Sequence, residues 1–276
     1  RKFVLSQKRI IKEEDLPKKY SINYFGSLIK CIKHVMTVAG SGGRAKLHNN
    51  TDYKNSDFKV QSETADTVYL SLDELKAIHA WQPTVYNISE VIKTPNVELR
   101  MRAVKAMTIA KNKFLIGAFT ALRVSDFNRL SEVNTREKFI RIKPKKGTRK
   151  NEDVAIPIHP VVGEILKSGF EITTPISDQK LNKQIKQVCR CIGINDLVSV
   201  SRTEGNELVE RNQQKWELIS THTARRSGAT NMYLAGIPSI SIMKITGHKT
   251  EKSFLKYIKI SQEENARLLA GHKFFQ

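Results

Sequence analysis

The sequence predicts a mainly helical α+β fold with small antiparallel β-hairpins. Apolar residues recur at helical spacing over much of the 276-residue chain. Two shorter stretches alternate apolar and polar residues on either side of turn residues, as paired strands do. Hydrophobic residues make up 39% of the chain, which is enough to build a core in one large domain or in two.

The N-terminal part is predicted to be helical from Arg1 onward. Its clearest helix spans residues 21–39, where apolar side chains fall near helical spacing before Gly42 and Gly43 break the pattern. Residues 44–66 are polar and weakly patterned, which is typical of an interdomain linker. Because the chain begins with Arg1 rather than Met, we expect that its natural N-terminus is missing.

Beyond the linker, helices alternate with two hairpins. Ser71 and Glu74 form a predicted capping box that opens a helix ending near residue 81. Residues 139–142 and 154–158 alternate around a Lys- and Gly-rich turn, which predicts a hairpin with a basic tip. A longer hairpin is predicted over 197–218. The other predicted helices are 96–121, 125–130, 159–167, 177–193, 222–235, 238–246, 250–259 and 261–270.

The charge of the chain indicates a polyanionic partner. Its 47 Lys+Arg against 27 Asp+Glu leave a net charge of +20. Nucleic acid is favoured over an anionic membrane, because no basic amphipathic anchor and no run of about 18 apolar residues occurs. The three cysteines, Cys31, Cys189 and Cys191, indicate a reducing compartment and are too few for a structural zinc site. We therefore expect the cysteines to be core or helix-surface residues.

Four local patterns could carry chemistry, although each also has an ordinary structural explanation. Common surface or capping features include an arginine after an apolar helix, a lysine-rich turn, a His-x-x-Arg helix face and a Gly-His turn. A tyrosine at helical spacing most often packs in the core. Here they occur in a fixed order along the chain. They are Leu122-Arg123-Val124-Ser125-Asp126, Lys143-Pro144-Lys145-Lys146-Gly147-Thr148, His222-Thr223-Ala224-Arg225-Arg226, and Gly247-His248 with Tyr257 nine residues later.

Together these patterns resemble the tyrosine recombinase (phage integrase) family. The resemblance is strong over residues 66–270, and it extends weakly over 1–66. It implies that residues 1–43 are the C-terminal part of a helical core-binding domain, 44–66 the interdomain linker and 67–276 a tyrosine recombinase catalytic domain. The phrases Tyr69-Leu70-Ser71 and Ile245-Thr246-Gly247-His248 look like those of integrases of conjugative transposons.

The resemblance implies a role for each motif residue, and the chemistry of each side chain suits that role. Tyr257 would attack the scissile phosphorus, while Arg123 and Arg225 would neutralise the phosphorane through bidentate contacts. His222 and His248 would hydrogen-bond the phosphate or carry the phenol proton. The product would be a 3′-phosphotyrosine, which a 5′-hydroxyl can reseal without ATP or metal.

The roles of the hairpin lysine, of Asp126 and of Arg226 are less tightly specified by the motifs. Lys146 is predicted to protonate the departing 5′ oxygen, with Lys145 as the alternative. Asp126, which stands where many relatives have Glu, is expected to orient an arginine from behind. Arg226 points about 100° away from Arg225 on a helix, and we expect it to be structural or to contact phosphate.

These residues predict a site-specific DNA recombinase that integrates or excises a mobile element. Its expected partners are double-stranded DNA recombination sites, further copies of itself in a homo-tetramer (a dimer on one site), and accessory DNA-bending or excision factors, in a bacterial cytoplasm. The resemblance implies that the apolar C-terminal residues Leu268, Leu269, Phe274 and Phe275 pack on a neighbouring subunit, with docking on their own domain as the alternative. A type IB topoisomerase and a catalytically inactive DNA-binding relative remain the alternatives.

Overall fold

Contacts divide the chain into two compact units, Arg1–Asp66 with Val198–Gln213, and Thr67–Leu197 with Gln214–Gln276. The computed structural model describes residues 8–9, 18–41, 46–63, 67–135, 138–145, 153–204, 207–258, 260–271 and 274–275. Among the helices of these ranges, none is both long and apolar enough to cross a membrane.

The start of the chain contains a short strand pair, so the prediction of helix from Arg1 onward is wrong there. Strand β1 (Lys8–Arg9) pairs antiparallel with β2 (Lys18–Lys19). Pro17 gives a physical reason, because proline has no amide hydrogen to donate and disfavours a helical conformation in the residue before it.

Helix α1 (Ile22–Ser41) is the main element of the first unit. Phe25 and Ile29 are buried on it, and Phe58 packs against them. At Gly26 a Cβ atom would lie 1.8 Å from the carbonyl oxygen of Gln61, so the glycine permits a very close approach. The segment predicted as a linker thus folds back on α1 over its described part, whereas the assignment of the two units as core-binding and catalytic domains stays a prediction.

The longer predicted hairpin is present, and most of it belongs to the first unit, but it ends at Gln214 because residues 215–218 form a short helix. Strand β5 (Leu197–Glu204) pairs with β6 (Glu207–Gln214). The Glu63 carboxylate accepts a hydrogen bond from the Thr203 amide at 3.2 Å, and Ser21 forms a bridge with Glu204. These contacts join the hairpin to segments that lie far from it in sequence.

The second unit is mainly helical, as predicted, with one further hairpin. The short helix predicted at 125–130 ends early, and the one predicted at 250–259 ends at its candidate nucleophile. The helices are α2 (Leu72–Ala80), α3 (Val97–Thr120), α4 (Val124–Phe127), α5 (Pro160–Lys167), α6 (Asp178–Ile192), α7 (Lys215–Leu218), α8 (Thr221–Leu234), α9 (Ser239–Thr246), α10 (Glu251–Tyr257) and α11 (Gln262–Ala270).

Helix α3 forms the centre of this unit. From residue 110 to residue 120 every side chain on it is buried, and it packs against α6 and α8. Two glycines allow this packing. A Cβ atom on Gly117 would lie 2.6 Å from the Phe127 ring, and one on Gly228 of α8 would lie 2.2 Å from the Ala118 carbonyl oxygen. Helix α8 is therefore seated directly on the end of α3.

Local signals in the sequence account for two further features. The Ser71 capping box of α2 is present, with Glu74 N donating to Ser71 Oγ at 3.2 Å and Ser71 N donating to the Glu74 carboxylate at 2.7 Å. Strands β3 (Phe139–Ile142) and β4 (Val154–Pro157) pair antiparallel and bury alternate residues on one face. The predicted basic tip lies between them in sequence, and residues 146–152 of it fall outside the described residues.

A small apolar cluster fixes the helix that ends at Tyr257. Ala229 of α8, Ile242 of α9 and Phe254 of α10 are fully buried in it, together with Ile258 just after α10. Tyr257 packs against this cluster from one side. The position of Tyr257 is thus determined by apolar packing of three helices.

Candidate active site

The four sequence motifs meet at one place on the second unit. Arg123 is the N-cap residue of α4, and His222 and Arg225 lie on α8. His248 follows Gly247, the C-cap of α9, and Tyr257 is the last residue of α10. The contacts described below bring all five side chains together, although up to 134 positions separate them in sequence.

Arg225 is buried and ties two helix ends together. Its Nη1 donates to the Ala121 carbonyl at 2.8 Å, and its Nη2 donates to the Thr246 carbonyl. Ala121 adopts a left-handed conformation (φ 52°) that ends α3, which is uncommon for a residue with a Cβ atom. Burial lowers the pKa of Arg225 to about 10, so its guanidinium stays charged at neutral pH.

Arg123 lies against the same corner. A Cβ atom on Gly247 would sit 3.6 and 3.8 Å from its two terminal nitrogens, and Gly247 has a φ of +69°. Glycine is favoured here because it ends α9 in a left-handed conformation. Arg123 and Arg225 converge on one corner, where two guanidinium groups could bind an anion such as a phosphate diester, whose two non-bridging oxygens share one negative charge.

The Tyr257 phenol is surrounded by nitrogen-bearing side chains. Its ring centroid lies 5.3 Å from that of His222, edge-on at 79°, and 5.0 Å from that of His248. The hydroxyl oxygen is buried and has no hydrogen bond of good geometry within the described residues, although Arg225 is close enough to attract it. Burial raises the pKa of this phenol, and Arg225 and Arg226 counteract that rise.

His248 is held in one orientation by Thr246. The Thr246 hydroxyl donates to the Ile242 carbonyl at 2.8 Å and lies 2.9 Å from His248 Nδ1. A hydroxyl has one hydrogen, so Thr246 accepts from Nδ1–H and the lone pair of a neutral ring is left on Nε2. Burial, Arg225 and Arg123 lower the pKa of His248 to about 4, which keeps the ring neutral at pH 7.

His222 is more exposed than His248 but lies in the same positive field. Partial burial of its ring lowers its pKa first, and Arg226, Arg225 and Arg123 lower it further. Both imidazoles are thus neutral near pH 7, so each can accept a proton or a hydrogen bond.

Two contributors to the site were missed or only partly specified from the sequence. Arg226, expected to be structural or a phosphate contact, places its guanidinium carbon 5.1 Å from the Tyr257 ring centroid. Thr246 was noted only as part of a motif, and its bond to His248 was not predicted. The spacing of two residues between Thr246 and His248 offered a weak signal, whereas nothing local linked Arg226 to Tyr257.

The basic hairpin is described only up to its tip. Lys146, the predicted general acid, lies outside the described residues. Lys145 is exposed, and its backbone amide donates to the buried Asp126 carboxylate at 2.8 Å. Asp126 also lies 3.5 Å from Arg129 and adds an attractive charge near Arg225. Asp126 therefore anchors the start of the hairpin tip, and its expected role in orienting a catalytic arginine stays a prediction.

The sequence profile of the phage integrase family matches residues 85–264, about two thirds of the chain, and this range contains the six predicted catalytic residues. The chain belongs to the phage integrase family. The tyrosine recombinase (phage integrase) family that the motifs predicted is therefore confirmed. No curated protein matches the sequence.

Solved structures show the same fold at low sequence identity. This phage integrase family member is similar to a lambda integrase (75–356) dimer bound to a COC′ core site, with a TM-score of 0.56, 14% identity, 86% of this chain and 74% of the other covered. It is also similar to lambda integrase (residues 75–356) bound to DNA, with a TM-score of 0.52, 14% identity, and 89% and 75% covered.

A third match covers a smaller share of the solved chain. The XerH site-specific recombinase in a post-cleavage complex with a palindromic difH substrate has a TM-score of 0.47, with 15% identity and 77% of this chain covered. The chain spans 55% of the length of that XerH chain.

Proposed function

We propose that the chain cleaves and rejoins double-stranded DNA at the recombination sites of a mobile element, through a 3′-phosphotyrosyl intermediate. The observation that carries the proposal is the surroundings of the Tyr257 hydroxyl. A buried phenol lies beside two converging guanidinium groups and between two neutral imidazoles. Membership of the phage integrase family supports the reaction class.

In the proposed step, the Tyr257 oxygen bonds to the scissile phosphorus as the phosphorus–5′-oxygen bond breaks. Arg123 and Arg225 stabilise the extra negative charge on the non-bridging oxygens. The phenol proton passes to His248 Nε2, because Thr246 keeps Nδ1 protonated. The 5′ oxygen leaves with a proton from Lys146, and resealing runs the same transfers in reverse.

A nicked suicide substrate tests the nucleophile. Cleavage next to the nick releases a short strand and traps the covalent adduct, which migrates slowly on a denaturing gel. Wild-type protein should form this adduct, and Tyr257→Phe should bind the DNA equally well and form none. Tyr233→Phe is the matched control, since Tyr233 packs against the same apolar cluster, with its ring centroid 6.4 Å from that of Phe254, and its hydroxyl should be dispensable. An adduct with Tyr257→Phe would reject the assignment.

A bridging phosphorothiolate tests Lys146 as the general acid. A 5′ sulfur leaves without a proton, so Lys146→Ala should cleave ordinary DNA slowly and the sulfur substrate at nearly the wild-type rate. Arg123→Ala should stay defective on both, because the phosphorane charge still needs neutralisation. If sulfur fails to rescue Lys146→Ala, Lys145→Ala becomes the variant to measure.

Assembly into a tetramer, a dimer on each site, is proposed from the C-terminal side chains. Helix α11 contacts its own unit, where the Tyr69 hydroxyl donates to the Glu264 carboxylate, yet Leu269, Phe274 and Phe275 are exposed. Exposed apolar side chains of this kind fit a neighbouring copy. Replacing these three with serine should leave binding to one site intact and abolish synapsis of two sites in a gel-shift assay. Unchanged synapsis would reject contact in trans.

The assay products distinguish recombination from its alternatives. Strand exchange between two sites supports a recombinase, whereas relaxation of supercoiled DNA alone supports a type IB topoisomerase. DNA binding without any adduct supports an inactive relative. A bacterial cytoplasmic location, an origin in a conjugative transposon and accessory DNA-bending or excision factors belong to the same proposal.

A further inference from the structure

Arg226 and Tyr257 make a contact that the proposed chemistry has not used. The Arg226 guanidinium carbon lies 5.1 Å from the centroid of the Tyr257 ring, over its face. The arginine is buried, with 8% of its surface exposed. A buried cation over an aromatic face is attracted by the electron density of the ring.

The position of Arg226 is set by a neighbouring extended segment. Its Nη1 donates to the Val68 carbonyl at 3.4 Å. The same segment is bound to α8 twice more, because Leu70 N donates to Ser227 Oγ at 2.8 Å and Asn231 Nδ2 donates to the Leu70 carbonyl at 2.9 Å. Arg226 Nε has no hydrogen-bond partner within the described residues. The contact with the ring is therefore a principal interaction of this guanidinium.

The other groups near the phenol act without lying over its ring face. Arg225 and Arg123 counteract the rise that burial causes in its pKa, and the His222 and His248 ring centroids lie 5.3 and 5.0 Å from its own, whereas Arg226 is the group that lies over the ring. The titratable and charged groups around Tyr257 are Arg225, Arg226 and His222 on α8, Arg123 before α4, and His248 after α9.

We infer that Arg226 is a positioning residue that stabilises the phenolate form of Tyr257 through the face of its ring. The inference rests on the proposed role of Tyr257. A phenolate spreads negative charge into its ring, so a cation over the face is attracted more strongly to the phenolate than to the phenol. Only such a difference between states accelerates a reaction. Tyr257 is also the leaving group in resealing, so Arg226 assists both directions.

The pH dependence of cleavage separates this role from a structural one. Single-turnover cleavage of the nicked substrate is measured with the full chain from pH 6 to pH 10 for wild type, Arg226→Gln and Arg226→Lys. Arg226→Gln should be about tenfold slower at pH 7, and its deficit should shrink as the pH rises toward the phenol pKa. Arg226→Lys keeps a cation in reach of the ring and should lie between the two.

Arg190→Gln is the matched control. Arg190 lies over the Trp216 ring at 5.2 Å, so its replacement removes a similar contact away from the site and should leave cleavage unchanged. Thermal unfolding and DNA affinity are measured for every variant. If Arg226→Gln is poorly folded, the cleavage rates of Arg226→Lys and wild type are compared instead. A loss of rate in Arg226→Lys that does not change with pH overturns the inference.

A more acidic phenol provides a second measurement. A fluorinated tyrosine introduced at position 257 should restore most of the rate lost in Arg226→Gln, because it ionises without the cation. A deficit that is constant with pH, an absent deficit, or a failed rescue would each overturn the role of Arg226. These outcomes require a wild-type adduct. If wild type forms none, or if Tyr257→Phe forms one, the proposed function itself fails.

Discussion

The hydroxyl of Thr246 decides which nitrogen of His248 can take a proton. Because Thr246 donates to the Ile242 carbonyl, it can only accept from His248, and Nε2 is left as the base. The same residue offers its carbonyl to Arg225. One buried threonine therefore orients two residues of the site. Its side chain orients His248, and its backbone carbonyl orients Arg225.

Thr246→Val should slow cleavage about fivefold to tenfold, because the orienting hydrogen bond is worth about 1 kcal/mol. The backbone carbonyl that binds Arg225 is kept, so DNA affinity should not change. Thr230→Val is the control, since Thr230 is equally buried but its hydroxyl has no partner within the described residues. Equal rates for Thr246→Val and wild type in the nicked-substrate assay would remove Thr246 from the mechanism.

Lys113 should make the stability of the fold increase with pH in the alkaline range. Its side chain is fully buried in α3, and its amine donates to the carbonyls of Ile172 and Asn128. Burial lowers its pKa from 10.5 to about 8, so the folded state prefers the neutral amine. Below pH 8 the folded protein bears the cost of a buried charge. As pH rises from about 8 to 10.5 that cost disappears, and stability should increase by at most about 3 kcal/mol.

Lys113→Met should abolish this increase, although it also leaves two carbonyls without a donor and lowers stability overall by about 1–3 kcal/mol. The free energy of unfolding is measured with urea between pH 7 and 10, and the difference between variant and wild type isolates Lys113 from other titrating groups. Lys105→Met, an exposed position on the same helix, should keep the wild-type slope. A wild-type slope in Lys113→Met would contradict the assignment.

At the scale of elements, the approach of α8 to α3 determines where the proposed catalytic residues of α8 lie. Helix α8 carries His222, Arg225 and Arg226, and it contacts the end of α3 at Gly228. Since Arg225 also binds the Ala121 carbonyl just after α3, a change in this helix contact displaces the guanidinium directly. The site therefore depends on one close helix crossing.

Gly228→Ala should destabilise the fold by about 1–3 kcal/mol, because the new methyl group would lie 2.2 Å from the Ala118 carbonyl oxygen, and backbone must move. Cleavage should fall as well, since α8 shifts. Gly163→Ala in α5 is the control. Its nearest atom would be Ile158 Cγ2 at 3.8 Å, so the alanine should stabilise the helix by up to about 1 kcal/mol. Thermal unfolding of both variants checks the pair.

At the scale of the whole molecule, the net charge of +20 should govern the proposed encounter with DNA. Charge of this size favours binding to phosphate regardless of sequence, and specificity must come from other contacts.

DNA affinity should fall by roughly 10³–10⁵ between 50 and 200 mM salt, as expected for about 6 to 10 neutralised phosphates. Fluorescence anisotropy with a labelled duplex measures the slope of log affinity against log salt. A duplex of scrambled sequence is the control and should bind more weakly with a similar slope. A flat salt titration would contradict an affinity dominated by phosphate contacts.

The sequence by itself predicted most of the elements and proposed most of the residues of the candidate site. Capping at Ser71, alternation in β3 and β4, and the helical spacing of α8 depend on residues within a few positions of one another, so local pattern predicted them. The motif order was sufficient to choose Arg123 and Tyr257 before any contact was known. Pro17 is a local signal of the same kind that the helix prediction near the N-terminus overlooked.

Only the tertiary structure decided how these parts act on one another. Arg226 reaches Tyr257 because α8 and α10 pack around a shared apolar cluster, and Glu63 accepts a bond from Thr203, 140 positions away. Such contacts depend on helix crossing and close approach at residues such as Gly228, which no short-range periodicity encodes. The pKa values of His248 and Lys113 follow from burial and neighbouring charges, and these exist only after the chain has folded.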